Sequence, residues 1–224
     1  ESGEKLSKHV KNYQPPQAIL DRYGADALRF YFLNQSSLGG NYVVAEDKVN
    51  EVMQKIISTF DNCASFYLTY APEIEFDDQI PFSPNLLDQW MLSRLHAVGR
   101  QAIQEMEAYR VDRAARLFVD LIDDFSNWYI RRSRPRLQNP GPETETAAKM
   151  LRYFLLSISN LMAPITPFMS EKVYRSLRSQ NQSISVHLQD YFEPQEDLIN
   201  PEIEAEMARV REIVRLSLQA RAKA

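Results

Sequence analysis

A long apolar stripe with the period of an α-helix is the feature that most constrains this chain. Over about 111–134, apolar residues recur at spacings of three and four, the period at which side chains share one helix face. They are Ala114, Leu117, Phe118, Leu121, Ile122, Phe125 and Trp128. A stripe of this length has to be buried, so it predicts a helix packed against other elements.

The remaining sequence repeats this period and shows almost no strand-like alternation. Glycine is scarce, with six residues, and we therefore predict a mainly α fold. Helices are expected over about 17–23, 25–33, 46–70, 84–109, 111–134, 144–163 and 167–179, and from 201 onward. The segment 144–163 is apolar nearly all round, so we expect it in the middle of the bundle.

Capping residues and prolines set the expected boundaries of these helices. Ser83-Pro84 and Thr166-Pro167 each combine an N-cap residue with a proline suited to a first helical turn. Pro135 is expected to end the long helix, because proline lacks the amide hydrogen and its ring clashes with the preceding turn. Residues 183–190 alternate apolar and polar, which favours a short extended segment.

Charge and cysteine content exclude several kinds of protein. A net charge of −4 and a pI near 5.5 argue against general adhesion to polyanions, so a nucleic acid would have to meet a local patch. The single cysteine, Cys63, excludes an internal disulfide and argues against a cysteine-based zinc site. No apolar run approaches the roughly 20 residues that span a bilayer. We expect a soluble, cytoplasmic protein without a membrane partner.

A cationic cluster interrupts the acidic balance at the end of the long helix. It consists of Arg131, Arg132, Arg134 and Arg136. The cluster follows Trp128 and Tyr129, and no acidic residue lies between Asp124 and Glu143. Guanidinium groups bind phosphate oxygens bidentately and aromatic rings stack on unpaired bases, which suits a structured nucleic acid. Alternatively, the rings continue the apolar stripe into the core and the arginines complement the helix dipole.

Other candidate sites have weaker support. His9, His96 and His187 are far apart with no partner at ligand spacing, so each is expected to be a surface or hydrogen-bonded histidine. The paired carboxylates Asp77-Asp78 and Asp123-Asp124 are expected to be a solvated loop and a helix flank, and neither supports a hydrolase. No glycine-rich phosphate loop is present.

The N-terminal segment contains a compact group of phosphate-binding side chains. Lys5 and Lys8 flank Leu6-Ser7, which places two ammonium groups and a hydroxyl where a triphosphate could be stabilised. A tetrapeptide of this kind is common, and taken alone it is better explained as a solvated basic loop. Its interpretation therefore depends on the rest of the chain.

Several collinear segments resemble a known family. Lys5–His9 (KLSKH) and Tyr23–Phe30 (YGADALRF) resemble the KMSKS signature of class I aminoacyl-tRNA synthetases and the segment that follows it. Ser126–Arg134 (SNWYIRRSR), Leu161–Phe168 (LMAPITPF) and Ser185–Leu188 (SVHL) look like the anticodon-binding helical region of isoleucyl-tRNA synthetases. The segments SNWYIRRSR and SVHL favour the isoleucyl over the valyl and leucyl enzymes.

The resemblance implies a domain plan. Residues 1–45 would be the KMSKS-like loop and connecting helices at the end of a catalytic region, and residues 46–224 an anticodon-binding helical bundle. The parent enzyme would join isoleucine to its tRNA using ATP and Mg²⁺. Its catalytic loop would supply Lys5, Ser7 and Lys8, with both lysines on ATP. The expected tRNA contacts are Arg131, Arg132, Arg134, Arg136 and Tyr129, of which Tyr129 is open between a base contact and the core.

Departures from the family pattern limit what the chain is expected to do alone. Leu6 replaces the usual methionine, His9 replaces the final serine or arginine, and Gln138 stands where the family commonly has a tryptophan. No two histidines are separated by two residues, so the other class I signature is missing. We therefore expect an inactive, monomeric fragment with no bound cofactor. The alternatives are a valyl-type fragment, or a helical scaffold whose arginines bind an acidic protein.

Overall fold

The computed structural model describes residues 16–35, 45–72 and 79–223. Within these ranges the chain is helical and contains no strand, which confirms the mainly α prediction. The KMSKS-like residues Lys5, Ser7 and Lys8 lie outside the described residues, as do His9 and Asp77-Asp78. The expectations for these positions stay predictions.

Seven helices account for most of the described residues. They are α1 Pro16–Gln35, α2 Glu46–Val52 continuing through Met53–Ser58 and Thr59–Tyr70, α3 Leu86–Glu107, α4 Val111–Asp123 continuing through Asp124–Ile130 and Arg131–Gln138, α5 Thr144–Met162, α6 Pro167–Leu177 and α7 Pro201–Lys223. Two short 3-10 turns, Val186–Leu188 and Glu196–Leu198, lie between α6 and α7.

Helix α5 lies at the centre of the bundle, as its uniformly apolar surface predicts. It packs against α2, α3, α4 and α6. Its almost fully buried apolar side chains come from every face of the helix and include Met150, Leu151, Phe154, Leu155, Ile158, Leu161 and Met162. The stripes of the surrounding helices therefore have a common partner, which explains why each is apolar on one side only.

Helix α1 is bent at Gly24. This residue has φ +78° and ψ 166°, and the helical segments on either side match the two predicted helices. Glycine adopts this backbone conformation without a Cβ clash, whereas other residues rarely do.

Each of the long helices α2 and α4 contains one wide π-helical turn. These turns cover Met53–Ser58 and Asp124–Ile130. A π turn rotates the residues that follow it relative to the preceding stripe. In α4 it coincides with the aromatic segment, where Trp128, Tyr129 and Ile130 are all buried although they are consecutive.

The long helix continues past Pro135 to Gln138, so the predicted end at this proline is wrong. Tertiary contacts hold the extra turn. Leu137 is buried, Arg136 is ion-paired, and the Thr144 hydroxyl donates to the Arg136 carbonyl oxygen over 2.9 Å. Together these contacts outweigh the backbone hydrogen bond that proline cannot make.

Three local predictions need correction. Helix α3 begins at Leu86 with Asn85 as its N-cap, and Ser83 is instead buried against Asp88. The 183–190 segment forms a 3-10 turn, because Glu171 accepts hydrogen bonds from the Ser185 hydroxyl and the Val186 amide. The third correction concerns the start of α6.

A carboxylate from a distant helix caps α6 in place of Thr166. The Thr166 side chain makes no cap hydrogen bond to α6. Instead Asp26 of α1 accepts from the amides of Phe168 and Met169, at 3.4 and 2.6 Å. One turn further along α1, Arg29 donates to the carbonyl oxygens of Pro164 and Ile165. Helix α1 is thereby fixed to the α5–α6 turn by groups that complement both helix ends.

Candidate nucleic-acid interface

The four clustered arginines divide into two groups. Arg131, Arg132 and Arg134 are exposed, and none of them forms an ion pair with a carboxylate among the described residues. Arg136 points inward, and its side chain is only 13% exposed. The exposed group is hereafter called the arginine patch.

Arg136 is paired with two carboxylates within the protein. Its Nη1 and Nη2 atoms donate to the two oxygens of Asp88 at 2.8 Å each, and its Nε lies 2.9 Å from a Glu143 oxygen in an ion pair. The paired fork geometry is the strongest arrangement between arginine and a carboxylate. Arg136 was expected among the nucleic-acid contacts, but the structure places its guanidinium in these internal ion pairs.

Asp88 collects the polar groups behind the arginine patch. It is fully buried and also accepts from the Ser83 hydroxyl at 2.5 Å and the Tyr129 hydroxyl at 2.7 Å. A buried carboxylate is tolerated because every donor around it is directed at its oxygens. Asp88 thus joins the start of α3 to the last turns of α4.

Tyr129 belongs to the core, so it is removed from the candidate base contacts. Its ring is fully buried and packs edge-on against Phe154, with ring centroids 5.0 Å apart. Burial, followed by the negative charge of Asp88, raises the pKa of Tyr129 well above its ordinary value. The phenol therefore stays protonated and donates to Asp88 at any physiological pH.

Trp128 lies directly beneath the patch. It is 9% exposed, and its indole N–H donates to the sulfur of Met207 on α7 over 3.1 Å. The Arg132 guanidinium covers the ring face, with Cζ 3.1 Å from the ring centroid. The Arg132 Nη1 also donates to the Trp128 carbonyl oxygen at 3.2 Å. The burial of Trp128 agrees with the alternative that this ring continues the apolar stripe into the core.

A second buried carboxylate supports the patch from the other side. Asp124 receives a 2.8 Å hydrogen bond from Arg94 of α3 and a short ion pair from Arg211 of α7. Of the paired residues Asp123-Asp124, only Asp123 is the exposed helix flank that was expected. Helix α4 is therefore tied to α3 and α7 about two turns before the arginines.

Arg134 extends the patch towards α2. Its Cζ atom lies 5.7 Å from the centroid of the Phe66 ring. A cation over an aromatic ring is weakly held and keeps its N–H groups available to a ligand. The patch therefore spans the surface from α7, beside Trp128, to α2.

Within the described ranges, His96, His187 and Cys63 form no catalytic arrangement. His96 is buried; its Nδ1 accepts from the Gln195 amide at 3.0 Å, and its Nε2 lies 3.1 Å from the Tyr153 hydroxyl. Burial lowers the pKa of His96 to about 4. Burial also raises the pKa of Cys63 to about 12, so its thiol is inert.

Metal ligation and membrane insertion find no support in the part of the chain that the structure describes. No three histidine, cysteine, aspartate or glutamate side chains there are grouped to hold a metal ion. None of the described helices is both long and apolar enough to cross a bilayer.

Sequence reasoning missed Asp88, Asp124 and Arg211 as parts of the site. Asp88 did carry a signal, because it is in phase with Met91 and Leu95 on the apolar face of α3. A carboxylate at a core position requires a buried partner. Nothing in the sequence indicates that Arg211 is the ion-pair partner of Asp124 on α4.

Comparison with protein-family models places this bundle in a class. Residues 88–224 match the anticodon-binding domain of tRNA ligase, and residues 1–45 match the class I tRNA synthetases of the I, L, M and V type. The first match covers more than half of the chain and includes α4 with its arginines. The chain therefore belongs to the anticodon-binding domain family of tRNA ligases.

Its curated relatives include isoleucine–tRNA ligases. The chain is 38% identical to isoleucine–tRNA ligase 2 of Bacillus cereus over 220 residues, covering 96% of this chain and 21% of the relative. It is 37% identical to the Chlamydia trachomatis enzyme over 221 residues, with the same coverage. With the Thermobifida fusca enzyme the identity is 36% over 230 residues, covering 99% and 22%. The chain spans about a fifth of the length of these relatives.

A solved structure shares the fold. It is the LeuRS of Agrobacterium radiobacter, determined as a ternary complex with tRNA and LeuAMS. The TM-score is 0.65 at 18% identity, covering 88% of this chain and 23% of the other. The likeness confirms the predicted helical architecture.

Proposed function

We propose that this chain is the part of an isoleucine–tRNA ligase that holds the anticodon stem and loop of the tRNA. The observation that carries the proposal is the arginine patch. Arg131, Arg132 and Arg134 are exposed and lack carboxylate partners among the described residues, whereas Arg136 beside them is neutralised. A surface that leaves three cations unpaired on an acidic protein is suited to a polyanion.

Rigidity supports the same reading. Before the patch, Asp124 ties α4 to α3 and α7. At the end of the cluster, Asp88 ties Arg136 of α4 to α3. Preorganised guanidinium groups lose less conformational entropy on binding than mobile ones. RNA contacts are assigned to Arg131, Arg132 and Arg134. Arg136 and Tyr129 hold the patch in place.

The remaining features of the proposal depend on the family. Residues 1–45 would end the catalytic region and residues 46–224 form the tRNA-binding bundle. In the whole ligase Lys5, Ser7 and Lys8 would contact ATP, which with Mg²⁺ supplies the adenylate chemistry for isoleucine. The ligase would act in the cytoplasm, and this region would be monomeric.

Loss of the patch tests the proposal directly. With Arg131 and Arg134 both changed to alanine, we expect the chain to bind isoleucine tRNA at least about tenfold more weakly at low salt. The slope of log affinity against log salt should fall by about 1.5, because each lost phosphate contact removes about 0.7 to 0.9. Fluorescence anisotropy of labelled tRNA at several salt concentrations measures both quantities.

The matched control changes Arg113 and Arg116 together to alanine. Both are exposed arginines on the same helix, more than about 20 Å before the patch at 1.5 Å per residue. This control also removes two positive charges and should leave affinity nearly unchanged. Equal tRNA affinity of the patch variant and the original chain would contradict the proposal. An aminoacylation assay of the complete gene product, with isoleucine tRNA and with valine tRNA, distinguishes the isoleucyl assignment from the valyl alternative.

A further inference from the structure

The Arg132 guanidinium must lie flat on the Trp128 indole. Its Cζ is 3.1 Å from the ring centroid, and its nitrogens are about 1.3 Å from Cζ. If the group stood upright on the ring, one nitrogen would approach the ring plane to about 2 Å, far inside the roughly 3.5 Å of ordinary contact. Only a parallel orientation is sterically allowed.

Both members of this stack are fixed from behind. The guanidinium Nη1 donates to the Trp128 carbonyl oxygen at 3.2 Å, and the indole N–H is directed at Met207 on α7. The orientation of the pair is therefore set before any ligand arrives. Since Arg132 is exposed and has no carboxylate partner in the described ranges, the outer face of its guanidinium is turned to solvent.

A flat cation with one face on an indole and the other in solvent is a platform for a second planar group. Unpaired RNA bases stack on guanidinium planes and on aromatic rings alike. We propose that Arg132 stacks on one unpaired base of the bound RNA, forming a continuous Trp128–Arg132–base stack, while its neighbours contact phosphates. This inference rests on the proposed tRNA function and names the part of the RNA that the site takes.

The surroundings of Arg132 favour this role over a simple phosphate contact. An arginine binds phosphate through the N–H groups at its edge, and one of those edges is already used on the Trp128 carbonyl. Arg131 and Arg134 are exposed on either side, and among the described residues no carboxylate occupies the N–H edges that could bind phosphates.

Substitution by lysine separates stacking from charge. Arg132→Lys keeps the positive charge but loses the planar group, and Arg131→Lys is the matched control beside it. The probes are an RNA hairpin with the anticodon stem and loop of an isoleucine tRNA, and a blunt duplex with the same stem and no loop. Anisotropy of the labelled RNAs gives their affinities, and thermal unfolding of each variant verifies that the fold is unchanged.

We expect Arg132→Lys to weaken hairpin binding at least about fivefold, the lower end for one stacked base, and to leave duplex binding unchanged. Arg131→Lys should alter neither.

Abasic substitutions placed one at a time in the loop should identify one nucleotide at which the Arg132→Lys effect disappears. In a Trp90→Phe variant, Trp128 is the remaining tryptophan. Binding of the unmodified hairpin should then change the tryptophan emission, whereas binding of the duplex should not.

Three results would overturn the stacking proposal. One is hairpin binding by Arg132→Lys that equals the original chain, and another is an equal loss on hairpin and duplex, which would make Arg132 a backbone contact. The third is the absence of any abasic position that removes the effect. All three leave tRNA binding by the patch intact, whereas failure of the original chain to bind either RNA would remove the proposed function together with the stack.

Discussion

Arg131 and Arg136 lie five residues apart on one helix and have opposite environments. Arg131 is exposed, whereas Arg136 donates two 2.8 Å hydrogen bonds to a carboxylate that has no solvent access. The difference follows from position, because α4 turns Arg136 towards the start of α3, where Asp88 lies. The four arginines are neighbours in the sequence, but they do not form one functional unit.

This environment gives a prediction for Asp88→Asn. The change leaves the Arg136 charge without its buried counter-ion and replaces one acceptor with a donor facing the guanidinium. We expect the free energy of unfolding to fall by about 3 kcal/mol or more, as for other broken buried pairs. Urea denaturation followed by circular dichroism measures it. Asp123→Asn, an exposed carboxylate on α4, is the control and should change stability by less than about 0.5 kcal/mol.

Helix boundaries show how tertiary contacts modify local preferences. The apolar stripes correctly predicted the helices, including the central α5. Their ends were less predictable, because Asn85 rather than Ser83 caps α3, Asp26 rather than Thr166 caps α6, and α4 passes Pro135. In the last two cases the deciding atoms come from residues distant in sequence, which no local pattern reveals.

At the level of elements, Gly24→Ala tests the bend in α1. A Cβ at this position would meet nothing within 4 Å, so steric contact is not the cost. The cost is backbone strain at φ +78° and ψ 166°, and we expect a loss of about 1–3 kcal/mol. Thermal unfolding measures this loss. Gly141→Ala, whose Cβ would make only an ordinary 3.8 Å contact, should be nearly neutral; equal stability of both variants would contradict the strain.

At the scale of the whole molecule, charge is distributed unevenly. The chain has a net charge of −4, yet the arginine patch keeps three cations unpaired in the part that the structure describes. Elsewhere many arginines pair with carboxylates, for example Arg94, Arg110 and Arg215. An acidic surface around a basic patch directs a polyanion to one place.

The stability of the whole bundle should depend on pH through His96. Its folded pKa is about 4 against an ordinary 6.5, so the unfolded chain takes up this proton first as the pH falls. The free energy of unfolding should therefore decrease from pH 6.5 towards 4, by up to about 3 kcal/mol, and this contribution should be constant above 6.5. Urea unfolding across this range measures the effect.

His96→Asn removes the titrating group and should flatten that part of the profile. His187→Asn changes an exposed histidine and serves as the control. A profile for His96→Asn that keeps the full slope between pH 6.5 and 4 would show that other groups cause the dependence. Protonation matters here because Nδ1 must stay free to accept from the Gln195 amide.

The amino-acid sequence by itself determined the helices, the buried centre and the family, since apolar period and collinear motifs are local properties of the chain. It also located the arginine cluster. Only the tertiary structure decided which arginines face solvent, that Tyr129 is buried and that Arg132 lies flat on Trp128. These outcomes depend on Asp88 of α3 and Met207 of α7, which reach the cluster only when these helices pack against α4. A side chain's environment is set by its neighbours in space, and residues that are close in space can be far apart in the sequence.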